Sequence, residues 1–363
     1  MGFNCGIVGL PNVGKSTIFN AMTAAGAEAS NYPFCTINPN VGMVPLRDER
    51  LVKLTELANP ERTLPTAVEF VDIAGIVKGA SKGEGLGNQF LGNIRSVDMI
   101  AHVVRCFEDE QVVHVAGKTD PLGDIEVINM ELIFSDLDTL DRRLERSGKL
   151  LKTGDKTVTE AMPVYLELKK AFEAGRPARS VLDRETAVLV KDLNLLTAKP
   201  VIYVANVDEN DLAGTSAAAL SVKKLAEAEG AGFVTICGKI ESEIAELSEE
   251  ERAEFLSGLG LKESGLDRLA AAAYRLLGLI TFFTVGKKEV RAWTIPAESK
   301  APQAAGAIHS DFERGFIRAE VMAYDDFVKY GSEAACKDKG VLRVEGKEYV
   351  VHDGDIMHFR FNV

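Results

Sequence analysis

Short apolar runs alternate with helical patterns over the first three quarters of the chain. Five of these runs have the length of a buried strand: Phe3–Leu10, Val68–Ile73, Met99–Cys106, Pro200–Ala205 and Phe233–Cys237. Helix-forming residues occupy Ser16–Ala25 and Ala217–Glu229. Near-continuous apolar strands separated by helices are typical of a parallel sheet covered on both faces. The pattern therefore predicts one α/β domain from residue 1 to about residue 278, with one interruption.

A different period appears between residues 125 and 194. Apolar residues there are three and four apart, at Met130, Ile133, Leu137, Leu140 and Leu144, and again at Tyr165, Leu168 and Phe172. Gly154 separates the two series. Two apolar seams around a polar turn predict an antiparallel helical hairpin, a coiled coil inserted between two strands of the sheet. Two ordinary surface helices of the main domain are the alternative.

The pattern changes again near Leu279. Short strand-like runs follow, and the last residues alternate with polar ones, at Met357, Phe359, Phe361 and Val363. This period of two is that of a half-buried strand. We predict a small α+β domain over residues 279–363, beside a first domain made of residues 1–124 and 195–278.

Composition and charge narrow the range of functions. The 363-residue chain has 42 Lys and Arg against 54 Asp and Glu, a net charge of −12. Such a protein is not expected to bind membranes, or DNA in a sequence-specific way, and any RNA contact must be local. No apolar run reaches the ~18 residues of a transmembrane helix, and the N-terminus lacks the basic start of a secretory signal. Five scattered cysteines favour reduced thiols, so we expect a cytoplasmic protein.

The segment Gly9–Thr17, GLPNVGKST, matches the phosphate-binding pattern G-x-x-x-x-G-K-[ST] between a predicted strand and a predicted helix. Its glycines let the backbone curl, so that successive N–H groups can point at phosphate oxygens. Lys15 can reach the β- and γ-phosphates, which makes it a candidate catalytic residue, and the Ser16 hydroxyl can bind Mg²⁺. The pattern predicts that a nucleotide is bound by Asn12, Val13, Gly14, Lys15, Ser16 and Thr17.

Further residues predict a magnesium site beside this loop. Asp72 ends an apolar run, and at the C-terminal end of a parallel strand its carboxylate would lie next to the phosphates. Gly75, three residues later, can offer its N–H to the γ-phosphate. The turn-rich loop Asn31–Thr36 lies between the two motifs, and its Thr36 is a candidate second ligand of Mg²⁺.

The segment Asn206–Glu209 follows the fourth predicted strand, where guanine-specific switch proteins have Asn-Lys-x-Asp. In those proteins the Asp carboxylate accepts from two donors of guanine that adenine lacks. Glu209 is longer, and N1 of adenine would repel it, so we expect this side chain to turn away and backbone groups near Val207 to meet adenine. Adenine preference or relaxed specificity follows, and a shifted loop that restores guanine binding is the alternative. Cys237 and Gly238 begin a second loop that would close over the base.

With these motifs together, the chain resembles the YchF family, ATP-preferring relatives of the Obg-type translation GTPases. The resemblance is carried by Gly9–Thr17, Asn31–Thr36, the glycine-rich segment from Asp72 to Gly87, and the variant Asn206–Glu209. It implies a P-loop G domain, a helical hairpin insertion and a C-terminal β-grasp TGS domain. It also implies a Mg²⁺-dependent ATPase that associates with the ribosome, as the large subunit or the 70S particle, and regulates translation or a stress response.

The residue that orients the attacking water is less evident. Ile76 stands where many GTPases have a glutamine, and an isoleucine side chain neither donates nor accepts a hydrogen bond. From the residues alone, His114 is either catalytic or a solvated loop histidine. The family's proposed catalytic histidine falls at this position. Asn12 is either a ligand of K⁺, as in related potassium-activated switch proteins, or a turn residue that tolerates an unusual φ.

Three functions stay open at this point. They are a slow ATPase whose nucleotide state controls ribosome binding, a ribosome-binding scaffold whose hydrolysis is incidental, and an Obg-type GTPase. The variant Asn206–Glu209 argues against the GTPase. Stimulation of turnover by ribosomes would favour the ATPase over the scaffold. A metabolic phosphotransferase is disfavoured, because no segment resembles an acceptor-substrate site.

Overall fold

The computed structural model describes residues 3–28, 40–73, 86–109, 119–151 and 156–362. Within these ranges the strands form two six-stranded sheets. The first sheet has the order β2-β4-β1-β5-β6-β7, and its strands are β1 (Asn4–Val8), β2 (Val41–Pro45), β4 (Ala67–Asp72), β5 (Met99–Arg105), β6 (Val201–Asn206) and β7 (Gly232–Ile236).

Five strands of the first sheet run parallel, which confirms the predicted α/β fold. β1 lies between β4 and β5, β5 pairs with β6, and β6 pairs with β7. Both β5 and β6 are buried along their whole length, which explains why their sequences are mainly apolar. The edge strand β2 is antiparallel to β4 and was not predicted, because only alternate residues of β2 are buried.

Helices pack against this sheet and enclose the largest hydrophobic cluster of the described residues. These helices are α1 (Lys15–Glu28), α3 (Leu86–Ser96), α7 (Ala217–Glu229), α8 (Gly238–Ile244), α9 (Glu249–Gly258) and α10 (Gly265–Leu276). Several begin with a Ser whose hydroxyl accepts from a first-turn N–H, as Ser216 and Ser248 do. Because the strands are parallel, the loops that lead from each strand into the next helix lie together at the carboxyl edge of the sheet.

The long helix α4 (Pro121–Leu151) starts in the core of the first sheet and then leaves it. Its second half shares a separate hydrophobic cluster with α5 (Lys156–Glu173) and the turns after α5. Asp141 on α4 forms an ion pair with Lys169 on α5, and Met130 lies next to Gly175, so the two helices run in opposite directions. The short helix α6 (Arg184–Leu189) and three 3-10 turns lead back to β6; the turns are Ala178–Ser180, Lys191–Leu193 and Leu196–Ala198.

The C-terminal part of the chain builds most of the second sheet. The order is β11-β10-β12-β8-β9-β3, and the strands are β3 (Arg62–Leu64), β8 (Leu279–Val285), β9 (Glu289–Pro296), β10 (Phe316–Met322), β11 (Arg343–Glu345) and β12 (Ile356–Phe361). Helices α11 (Ala301–Ile308), α12 (Ser310–Arg314), α13 (Tyr324–Tyr330) and α14 (Glu333–Asp338) accompany it. Two hydrophobic clusters lie on this sheet.

One segment of the N-terminal part also belongs to the second sheet. Strand β3 pairs in parallel with β9, and helix α2 (Glu49–Ala58) places Leu51 and Leu54 in the same cluster as Phe283. The sequence-based division assigned residues 1–124 to the first domain, whereas residues 49–64 pack with the second sheet. Sequence patterns missed this because β3 is only three residues long, too short to show a period.

Candidate functional site: a nucleotide cleft

The loop between β1 and α1 has the backbone that a phosphate cradle requires. Asn12 and Gly14 have φ values of 64° and 88°, both in the left-handed region. A Cβ at Gly14 would lie 2.1 Å from Nδ2 of Asn206, so a larger residue has neither the conformation nor the space. Helix α1 begins directly at Lys15, and Ile18 N donates to Gly14 O at 3.1 Å. The strand, loop and helix predicted around Gly9–Thr17 are thus present.

Lys15 and Asp72 meet at one end of this loop, which we call the phosphate end. Their side chains form an ion pair and are 11% and 25% exposed. Asp72 ends β4, in register with Ile7 of the neighbouring β1, and this pairing brings its carboxylate to the loop. Ser16 and Thr17 are exposed and also line the cleft. Three predicted residues, Thr36, Gly75 and His114, lie outside the described ranges.

Asn206 holds the phosphate loop from the opposite side. It is 4% exposed, and its Nδ2 donates to Val13 O at 2.9 Å. Its Oδ1 accepts from Gly238 N at 3.1 Å. Both ends of the amide are therefore used within the protein. Asn206, predicted as an ATP-binding residue, lines the cleft and also ties the phosphate loop to the start of α8. Its contact with ATP stays a prediction.

The residues after Asn206 and the residues after β7 form what we call the base end of the cleft. Val207 N donates to Ile236 O at 2.8 Å, and Val207 is buried. Cys237 is also buried, and its burial raises the pKa of its thiol, so the thiol stays protonated at neutral pH. Glu209, in the loop after β6, forms an ion pair with Lys239 in the first turn of α8, a position that the sequence analysis expected to be a loop. The expectation that Glu209 turns away from a base stays a prediction, but its carboxylate already has a partner.

The two ends enclose a cleft of about 950 Å³. This volume is in the usual range for small-molecule and cofactor sites, roughly 300–1,000 Å³. The described residues that line it include the predicted Asn12, Gly14, Lys15, Ser16, Thr17, Asn206, Val207, Glu209, Cys237 and Gly238. Residues that are far apart in sequence thus share one cavity, as the parallel sheet predicts.

A buried arginine beside the cleft was missed by the sequence reasoning. Arg105 is 2% exposed, and its guanidinium donates to Phe107 O at 3.1 Å and to Asp109 O at 3.2 Å. It also lies over the Phe107 ring, 4.6 Å from the centroid. Arg105 thereby fixes residues 107–109, which precede the segment of the sequence that contains His114, and Phe107 lines the cleft. The available signal was a lone cation at the end of an apolar strand.

Comparisons with known proteins agree with this geometry. Residues 4–132 match a family model described as a 50S ribosome-binding GTPase, and residues 279–362 match the C-terminal model of YchF-type GTPases, described as a protein of unknown function. A protein of Bacillus subtilis named ribosome-binding ATPase YchF is 58% identical over the full length of both chains. This chain belongs to the YchF family.

Other YchF proteins extend the similarity. The ribosome-binding ATPase YchF of Escherichia coli O157:H7 is 54% identical, again over all of both chains. The solved YchF GTPase of Schizosaccharomyces pombe is 38% identical, with a TM-score of 0.89 over 99% of this chain and 98% of that one. The predicted YchF resemblance is therefore confirmed along the whole chain. None of the helices in the described ranges is both long and apolar enough to cross a membrane.

Proposed function

We propose that this chain is a Mg²⁺-dependent ATPase that hydrolyses ATP to ADP and phosphate and prefers ATP to GTP. The observation that carries the proposal is one cleft lined by Lys15 at its phosphate end, with Asp72 paired to that lysine, and by the unusual Glu209 at its base end. The names of the bacterial relatives, ribosome-binding ATPase YchF, support ATP. The solved relative is titled a GTPase, so the choice of base needs a direct test.

The chain's own groups divide the work of binding. In this proposal the N–H groups of residues 12–17 and of Gly75 bind phosphate oxygens, and Lys15 stabilises the charge of the β- and γ-phosphates. Val207, Glu209, Cys237 and Gly238 surround the base, and Asn206 keeps the two loops together. The Ser16 hydroxyl and the Asp72 carboxylate would hold Mg²⁺, with Thr36 as a further ligand. Both described groups are oxygen donors, which Mg²⁺ prefers, and the ion would neutralise phosphate charge.

We assign the orientation of the attacking water to His114. Ile76 cannot perform this role because its side chain has no polar atom. In single-turnover assays His114→Ala should slow hydrolysis and leave ATP affinity unchanged. Unchanged turnover would remove His114 from the mechanism.

The potassium hypothesis for Asn12 is separate from this proposal. Asn12 has a left-handed φ of 64°, which asparagine tolerates better than most residues, so its turn role accounts for its presence. Hydrolysis rates measured in K⁺ and in Na⁺ decide the matter. Equal rates would leave Asn12 as a turn residue, and a clear excess in K⁺ would support a bound cation.

We also propose that the chain acts on the ribosome, in the cytoplasm, as a regulator of translation or of a stress response. The support comes from the names of the relatives and the description of the matching family model. Co-sedimentation with 50S subunits and 70S ribosomes, with ATP or ADP bound, would test this step. Faster hydrolysis on ribosomes would favour an ATPase, and binding without faster hydrolysis would favour a scaffold.

The decisive experiment for the enzymatic step compares ATP and GTP. We expect tighter binding and faster hydrolysis of ATP, and loss of hydrolysis when Mg²⁺ is chelated. Lys15→Ala and Asp72→Asn should each reduce turnover by at least about a hundredfold, because each removes a group that stabilises phosphate charge. Preferential binding of GTP would instead identify an Obg-type GTPase.

A further inference from the structure

The base end of the cleft contains an ion pair that joins the loop after β6 to the start of α8. Glu209 lies in the loop after β6, Lys239 is the second residue of α8, and Oε1 of Glu209 contacts Nζ of Lys239. Both side chains line the cleft, and both keep substantial exposure, 44% for Glu209 and 68% for Lys239. In the proposed binding mode, the edge of a purine at the base end of the cleft would face this pair.

A carboxylate at this place would interact very differently with the two common purines. The Watson–Crick edge of guanine presents two donors, N1–H and the 2-amino group, and both would attract it. Adenine presents the acceptor N1 at the same position, and two acceptors repel each other. An unpaired Glu209 would thus favour guanine, and the longer side chain of Glu only weakens the fit without reversing the preference.

Lys239 changes this balance because an ammonium is a donor only. It occupies the Glu209 carboxylate and neutralises its charge. The contact also draws the carboxylate toward the start of α8. Two further contacts near this pair, Asn206 with Gly238 and Val207 with Ile236, fix the backbone and not this carboxylate.

We propose that Lys239 is a specificity-determining residue: by pairing with Glu209 it prevents that carboxylate from accepting a hydrogen bond from guanine, and so favours adenine. The inference rests on the proposed function, since it concerns the base preference of the same cleft. Lys239 acts through Glu209 and is a positioning residue for it. It has no role in the proposed hydrolysis step.

The pair can be broken without endangering the fold. An ion pair this exposed contributes little to stability because solvent screens it, so variants at either position should fold. Lys239→Met keeps an unbranched side chain one atom shorter and removes the charge, whereas Lys239→Arg retains a cation. Lys224, an exposed lysine on α7 that does not line the cleft, provides a matched control as Lys224→Met.

The experiment is calorimetric titration of the full-length chain with the imido analogues of ATP, GTP and ITP, each with Mg²⁺. We expect Lys239→Met to lower the ratio of ATP to GTP affinity by about tenfold, the effect of one charge-assisted hydrogen bond. ITP has N1–H and lacks the 2-amino group, so its gain should be smaller than that of GTP. Lys239→Arg should largely restore the ratio, and Lys224→Met should not change it.

The double variant Lys239→Met/Glu209→Ala identifies the cause. If Lys239 acts through Glu209, the lysine substitution will not change the ratio once Glu209 is absent. An unchanged ratio in Lys239→Met, equal losses for all three nucleotides, or the same shift in the Glu209→Ala background would each overturn the proposal. A wild-type chain that binds GTP better would reject the proposed ATP preference, and the dependence on Glu209 would still decide the role of Lys239.

Discussion

At the scale of single residues, the site depends on one buried amide. Asn206 donates to Val13 O and accepts from Gly238 N, so one side chain joins the phosphate loop to the start of α8. We predict that Asn206→Ala weakens ATP binding about 10- to 100-fold, because it leaves a buried carbonyl and a buried N–H without partners.

Asn206→Asp is the informative companion of this variant. It keeps the acceptor for Gly238 N, but it loses the donor to Val13 O and places a negative charge near that carbonyl. Titration calorimetry with Mg²⁺-ATP measures affinity, and hydrogen exchange at residues 12–16 reports the order of the loop. Wild-type affinity in Asn206→Ala would show that the loop keeps its shape without this amide.

His102 gives the protein a pH-dependent stability. It is 2% exposed in β5, and burial, with a smaller contribution from Arg179, lowers its pKa from 6.5 to about 3. The unfolded chain therefore takes up a proton near pH 6.5 that the folded chain rejects until about pH 3. The part of the unfolding free energy that depends on a neutral His102 is fully present above pH 6.5, and it is lost as the pH falls toward 3.

From pH 7 to pH 5.5 this group should lower the free energy of unfolding by about 1 kcal/mol. His102→Phe retains an aromatic ring and removes the titration. Urea unfolding of both proteins at the two pH values isolates the effect, because the other titrating groups are common to both. If the unfolding free energies of the two proteins changed equally between the two pH values, the effect could not be assigned to His102.

The residues that sequence alone could identify are those whose chemistry is local. Lys15 and Ser16 lie within a contiguous motif, and Asp72 ends an apolar strand, so their positions followed from strand geometry. The pairing of Lys239 with Glu209 and the capping of residues 107–109 by Arg105 could not be predicted, because both depend on which loops become neighbours. No spacing within the chain encodes that proximity.

At the scale of elements, one carboxylate fastens α4 to the turn before β6. Asp136 is 1% exposed and accepts from Leu196 N, Thr197 N and Thr197 Oγ1, all within 2.8 Å. Thr197 Oγ1 also accepts from Ala178 N at 2.9 Å, which joins the turn after α5 to the same point. These bonds fix where the helical insertion leaves and re-enters the first sheet.

We therefore predict that Asp136→Ala lowers the free energy of unfolding by about 2–4 kcal/mol, since it leaves buried donors unpaired. Asp138→Ala is the matched control on the same helix: Asp138 is 61% exposed, pairs with Arg142, and should matter by less than about 0.5 kcal/mol. Chemical unfolding of both variants measures the difference. Similar losses for the two would show that the Asp136 bonds contribute little.

Strands β2 and β3 were not predicted, because their burial produces no continuous apolar run in the sequence. The strands β1, β4, β5, β6 and β7 were predicted within one or two residues, because a central parallel strand is apolar throughout. Strand β2 is buried on one face only, and β3 has three residues. Their places in the two sheets are set by tertiary pairing with β4 and β9, which short segments cannot reveal.

At the scale of the whole molecule, a segment that lies in sequence between two strands of the first sheet joins the two sheets. Residues 49–64 lie between β2 and β4 of the first sheet, yet they supply α2 and β3 to the second. Arg50 pairs with Asp353, Lys287 Nζ donates to Ala58 O, and Thr66 bonds to Thr294. The second sheet therefore contacts this segment both before and after Asn59. The chain also passes from the first sheet to the second through α10, which precedes β8. Its stability should depend on a helix encoded more than two hundred residues earlier in the sequence.

The test of this dependence is Leu54→Ala. Leu54 is fully buried against the second sheet, in the cluster of Phe283 and Val290, so its truncation should cost about 2–4 kcal/mol of unfolding free energy. Trp293, the single tryptophan, lies in β9 and reports the second sheet by fluorescence during urea unfolding. Val52 on the same helix is 60% exposed, so Val52→Ala should leave the transition within about 0.5 kcal/mol of wild type. If Leu54→Ala left the Trp293 transition unchanged, α2 would rest on the second sheet without supporting it. The expected loss would instead mean that the native packing of the second sheet depends on the segment between β2 and β4.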